Sequence, residues 1–118
     1  MRLRVFPSIE APSQARRELG SLASRIDQAS LMTVRTVISE LVGMSVASGA
    51  RKPIEVALRL DDGRLEGLLC DDGTGARAIG RRDSSSLVLR IVDGLVEEWG
   101  TTNDGEKGIW FRMSVQPV

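Results

Sequence analysis

The densest chemistry in this chain lies at Asp71-Asp72-Gly73-Thr74-Gly75, where two carboxylates meet two glycines. Glycine lets backbone approach a ligand without a Cβ clash, but Asp and Gly are also ordinary turn formers. The chain uses the same pattern at Asp61-Asp62-Gly63, which reads as a hairpin turn. A further carboxylate, Glu40, lies in a long apolar-periodic stretch. A carboxylate so placed is commonly a solvated boundary residue of an amphipathic helix. Helical spacing puts Glu40, Met44 and Ser48 on one flank of that stretch. Arg77, Arg81 and Arg82 share one polar loop and can bind phosphate or an acidic partner, or remain solvated. Ser84, Ser85 and Ser86 close the loop and can cap the helix that follows. Cys70 ends the apolar run Leu68-Leu69-Cys70 and is expected in the core, with no histidine to activate it.

These groups need elements to hold them. Residues 1–6 alternate, with Leu3 and Val5 on one face and Arg2 and Arg4 on the other, as in a half-buried strand stopped by Pro7. Pro12 suits a first helical turn, and Ala15, Leu19, Leu22, Ala23 and Ile26 predict an amphipathic helix over 12–26, weakened at Gly20. A longer helix is expected over 28–47, ending at Gly49, with Val34, Val37, Ile38, Leu41 and Ser45 as its central stripe. Strands follow over 54–60 and 64–71. Leu87, Val88, Leu89, Ile91, Val92, Leu95 and Val96 wrap most of a third helix, which is therefore expected to be deeply packed. Strands over 99–102 and 109–115, joined at Asn103-Asp104-Gly105, complete the order β-α-α-β-β-α-β-β. That order predicts an α+β two-layer sandwich, with three helices on one face of a mostly antiparallel sheet. Trp99 and Trp110 flank the last hairpin and are expected as core anchors; partial exposure of either would point to a protein interface.

Composition narrows the function classes. With 118 residues the chain reads as a single domain, 1–118, able to bury about two-thirds of its unfolded surface. Sixteen Lys and Arg balance sixteen Asp and Glu, which argues against nucleic acid or a membrane surface as partner. Aromatic residues make up 3% and there is no Tyr, so a base-stacking surface is not expected. A lone cysteine suits a reducing cytoplasm. No signal-peptide core or bilayer-spanning run is read from the sequence. Without histidine, the usual zinc sites and Ser-His or Cys-His catalysis are excluded.

The element order, the acidic residue in the second helix and the Asp-x-Gly-x-Gly loop together resemble the GHKL ATPase domain, nearest to bacterial anti-sigma-factor serine/threonine kinases. The resemblance covers nearly the whole chain. Where that family has Glu-Leu-Val-x-Asn-Ala-x-x-His, this chain has Glu40-Leu41-Val42-Gly43-Met44-Ser45-Val46-Ala47-Ser48. Asp71, Gly73 and Gly75 match the adenine loop in full. The Gly-x-Gly-Leu lid is replaced by Ser84-Ser85-Ser86-Leu87. Leu95-Val96-Glu97-Glu98-Trp99-Gly100 and Ile109-Trp110 resemble the family's ending.

The resemblance implies roles. Asp71 would accept from the adenine amine of ATP or ADP, with Gly73 and Gly75 giving close approach. Glu40 would be the catalytic carboxylate, and Met44, Ser86 and Leu87 would line the phosphate end. Met44 stands where an asparagine would hold magnesium; a soft thioether is a poor ligand for that hard cation, and phosphoryl transfer depends on the metal. Serines in the lid lack the positive-φ freedom of glycine. The expected function is that of an anti-sigma-factor-like regulator with a degenerate ATP site. It would bind a sigma factor or an anti-anti-sigma protein, alone or as a homodimer. An active kinase with a displaced metal ligand, and a nucleotide sensor without turnover, are the alternatives.

Overall fold

A computed structural model describes residues 1–72, 87–102 and 108–118, with Leu87 described by its backbone alone. Among the described residues there are five strands: β1 Arg2–Val5, β2 Ile54–Asp61, β3 Arg64–Cys70, β4 Glu98–Thr101 and β5 Gly108–Ser114. Three α-helices accompany them: α1 Ala11–Glu18, α2 Gln28–Ala47 and α3 Leu87–Leu95. All strand pairs are antiparallel, in the spatial order β1-β2-β3-β5-β4. The chain is thus an α+β fold with a helical layer over one face of an antiparallel sheet.

Strand alternation decides which side chains meet the helices. Leu3, Val5, Ile54, Val56, Leu58, Leu65, Leu69, Ile109, Phe111 and Met113 point inward and are buried with the helix residues in one core. The β2–β3 hairpin turns at Asp62 (φ 48°) and Gly63 (φ 79°), a two-residue turn whose left-handed backbone matches strand twist. This is the Asp-Asp-Gly turn expected from sequence.

Helix α2 forms where its apolar spacing predicts it. The Asp27 carboxylate accepts from the Ser30 backbone N–H at 2.8 Å and caps its start. At its end, Gly49 N–H bonds Val46 C=O and Ala50 N–H bonds Ser45 C=O, with Gly49 at φ 95°. That pair of bonds is a Schellman cap. Contrary to the sequence expectation, α2 is long and apolar enough, by length and composition, to cross a bilayer. More than half of that apolar window is buried inside the fold, and a core helix passes the same test.

Two helices depart from expectation. The first does not run as one α-helix over 12–26: α1 ends at Glu18 and a 3-10 segment, Leu19–Ser24, follows. The change falls beside Gly20, where helix propensity is poor. There the Arg35 guanidinium of α2 donates to the Arg16 carbonyl at 3.0 Å and lies against Gly20, capping a carbonyl near the end of α1. Helix α3 is less deeply packed than its composition predicts. Within it Val92 is fully buried, Val88, Leu89 and Ile91 are half-buried, and Leu95 is exposed. A nearly all-round apolar helix therefore sits at the rim of the helical layer rather than under it.

At one edge of the sheet Glu97 accepts from the Ser114 hydroxyl and from Arg64 at 3.0 Å. The Ser114 hydrogen bond, then Arg64, hold its carboxyl below the usual carboxylate range. A lowered carboxyl pKa stabilises the fold above the unfolded-state value, and that contribution is lost as pH falls through the folded-state value. In an NMR titration, Glu97 is expected to protonate at lower pH than a solvated glutamate, and Ser114→Ala to move its midpoint upward. An unshifted midpoint in both proteins would remove the cluster as the cause.

Candidate functional site

Asp71 follows the last residue of β3 directly, and α2 crosses the same end of the sheet. Ser45, fully buried on α2, donates its hydroxyl to Asp71 Oδ2 at 2.8 Å. The adjacent Asp72 accepts from the Arg51 backbone N–H, also at 2.8 Å. Both carboxylates of the Asp-Asp pair are therefore tied to the C-terminal end of α2, one through the helix and one through the segment leaving it. The Schellman cap fixes that end, so the two ties have a rigid anchor.

Ser45 was legible from sequence only as a member of the apolar stripe of α2. Its role as partner to Asp71 needed the fold. A hydroxyl on a core stripe is itself a signal, because a buried polar group almost always has a partner. The bond fixes the position of the Asp71 carboxylate at the end of β3.

Met44, the residue before Ser45, is 8% exposed and belongs to the hydrophobic core. Glu40 lies one helical turn earlier and is half-buried, and Ser48 one turn later is half-buried too. The flank Glu40-Met44-Ser48 expected from helical spacing is thus a boundary strip with an apolar centre. At position 44 it offers a thioether in an apolar setting, with no oxygen for a hard cation. Leu87 opens α3. Gly73, Gly75, Arg77, Arg81, Arg82 and the serines 84–86 lie outside the described residues, as does the Asn103-Asp104-Gly105 turn.

Two expected core residues sit elsewhere. Cys70 and Trp110 both point to the sheet face away from the helices, and both are half-buried. Their strand parity places them there: Cys70 shares a face with Glu66, and Trp110 with Arg112. Trp99 is on the helical side, packed against the core, with its indole N–H donating to Asp93 at 3.0 Å.

Neither a scan against protein-family models nor a search of curated proteins finds a match to this chain.

The tie between β3 and α2 has a measurable strength. Ser45→Ala is expected to destabilise the protein by about 1.5–3 kcal/mol, the scale of one hydrogen bond to a charged group. In a double-mutant cycle by chemical denaturation, Ser45→Ala should cost less in an Asp71→Ala background than alone. Additive costs would mean that the hydroxyl and the carboxylate do not act together.

Proposed function

We propose that this chain is an anti-sigma-factor-like regulator of the GHKL type with a degenerate ATP site. It acts in the cytoplasm by binding a protein partner, either a sigma factor or an anti-anti-sigma protein. The observation that carries the reading is the burial of Met44 in the apolar core. A GHKL kinase needs an oxygen ligand for magnesium at that position, and a buried thioether supplies none. The element order and the one-sided helical layer are compatible with such a domain.

A second reading, a sensor that binds ATP or ADP without turnover, is favoured by Asp71. Its carboxylate is held at the end of β3 by Ser45, and the family resemblance would make it the acceptor of the adenine amine. Glu40 remains the candidate catalytic carboxylate if the chain is a working kinase, but transfer would then need a metal ligand from elsewhere.

Calorimetry with ATP and ADP, with and without magnesium, separates these readings. The regulator reading expects no gain in nucleotide affinity on adding magnesium. Magnesium-dependent binding in the micromolar range overturns it in favour of the kinase; magnesium-independent binding of ADP favours the sensor. Co-purification from the native cell should recover a sigma factor or an anti-anti-sigma protein. Recovery of neither would remove the partner from the proposal.

A further inference from the structure

Edge strand β1 covers only part of β2. Its register runs from Arg2 opposite Ala57 to Val5 opposite Ile54. One further pair closes that ladder. The Leu58 N–H donates to the Met1 carbonyl at 2.8 Å, and the Leu58 carbonyl accepts from the Met1 amino group at 3.0 Å. Backbone groups of a strand point alternately to its two neighbours. Leu60, two residues beyond Leu58, therefore turns its N–H and C=O to the β1 side, past the end of the β1 register. Among the described residues neither group has a hydrogen-bond partner. Leu60 is half-buried all the same.

The lane beside Leu60 has walls. Between the 3-10 segment and the open edge lies a hollow of about 250 Å³, with Met1 at one end and Leu22, Leu58 and Leu65 in its lining. A second hollow, of about 480 Å³, continues it toward the β2–β3 turn, lined by Ile26, Val115 and Pro117. Leu60 and Arg25 belong to both. Leu22, Ile26, Leu58, Leu65 and Val115 are buried, so the floor is apolar. Arg25 and, at the turn end, Asp62 are exposed. Neither forms an ion pair among the described residues. The groove thus joins an apolar floor, an unpaired backbone edge and one unpaired guanidinium.

We infer that this groove binds the C-terminal end of a partner polypeptide, one that finishes in an apolar residue with a free carboxylate. The incoming chain runs antiparallel to β2, along the line of β1 and toward Met1. Its last residue lies opposite Leu60. There its N–H donates to the Leu60 carbonyl, and one carboxylate oxygen accepts from the Leu60 N–H, repeating the Met1–Leu58 pair one step further along. Residues directly opposite across antiparallel strands point to the same face. The last side chain therefore points with that of Leu60 toward the helical layer, into the apolar hollow. Strand addition of this kind takes affinity from main-chain bonds and specificity from the pocket for the side chain.

Charge and space select this ending over others. The second carboxylate oxygen lies one residue's rise, about 3.4 Å, short of the Met1 position, close to its amino group and within the hollow that Arg25 lines. A guanidinium gives a carboxylate charge-assisted bonds. A chain continuing along the lane would run into Met1, and a chain entering with its amino end there would set like charges together. The residue before the last falls opposite Asp61, on the outer face of the sheet, where a basic side chain finds a carboxylate. The groove lies at the end of the sheet away from Asp71 and uses none of the residues of the proposed function, so it stands whether or not that function does.

Fluorescence anisotropy on the whole chain tests this, with the peptide Gly-Ser-Gly-Lys-Leu labelled at its amino end and ending in a free carboxylate. Amidating the same peptide should weaken binding at least about tenfold. Arg25→Gln should do the same, and Arg25→Lys should recover part of the loss. Arg25 is exposed, and circular dichroism checks that both variants stay folded. A short Gly-Ser run added ahead of Met1 enters the same lane and should abolish binding with every side chain of the groove intact. Amide hydrogen exchange locates the contact. In the free protein the Leu60 N–H should exchange faster than the Leu58 N–H, and the peptide should protect it. Equal affinity for the free and amidated peptides, indifference to Arg25→Gln, no binding up to about 1 mM, or a Leu60 amide that the peptide leaves unprotected would each overturn the site.

Discussion

Gly67→Ala is expected to destabilise the protein by about 1–3 kcal/mol or more, the cost of overpacking a tight core. Gly67 lies on β3, paired with Leu58 on β2 and Phe111 on β5, and faces the helices. A Cβ at Gly67 would stand 2.3 Å from two ring carbons of Phe111 and 3.1 Å from a Leu58 methyl. The ring cannot easily withdraw, because Phe111 is fully buried and among the largest side chains in the core. The missing side chain at 67 is thus the space in which the Phe111 ring lies. Chemical denaturation of Gly67→Ala, Phe111→Leu and the pair makes the argument quantitative. Phe111→Leu alone should be destabilising through lost burial. Combined with Gly67→Ala it should cost clearly less than the sum, because the smaller side chain makes room for the methyl. Strict additivity, or an unchanged midpoint in Gly67→Ala, would show that the ring moves aside freely.

Met44→Asn is expected to cost about 2–5 kcal/mol in the nucleotide-free protein, the range for truncating a large buried apolar side chain. An amide also brings several hydrogen-bonding atoms into a site 8% exposed. Thermal unfolding with and without Mg-ATP then reads the proposed function. If the metal ligand alone is missing from a GHKL-type site, Mg-ATP should stabilise Met44→Asn but not the wild type. The gain would be about 2.7 kcal/mol at a ligand concentration a hundredfold above Kd. No gain in either protein would mean that position 44 is not what limits nucleotide binding. Stabilisation of the wild type by Mg-ATP would contradict a degenerate site.

Much of the fold is legible in the order of residues because local rules decide it. The bounds of α2 follow from an Asp cap, a 3.6-residue apolar repeat and a Gly exit. The β2–β3 turn follows from Asp62-Gly63, which tolerate left-handed backbone. Local rules fail where distant segments compete. The break between α1 and the 3-10 segment accompanies Arg35, a residue of another helix, bonding the Arg16 carbonyl. Helix α3 is less deeply packed than its composition predicts, because apolar composition does not say how much of a helix its neighbours cover.

The candidate site divides the same way. Asp71, Glu40 and Met44 stand out in the sequence by residue type and spacing, and helical phase correctly puts Glu40, Met44 and Ser48 on one flank. The sequence by itself determined the order of the described elements and the inward face of β1, Leu3 and Val5, since each depends on neighbours a few positions apart. Only the tertiary structure decided that Ser45 holds Asp71 across 26 residues of chain, and that strand register lines up Arg59, Glu66, Arg112 and Glu98. Contacts between segments far apart in sequence depend on how strands align and helices pack, and no local periodicity encodes that.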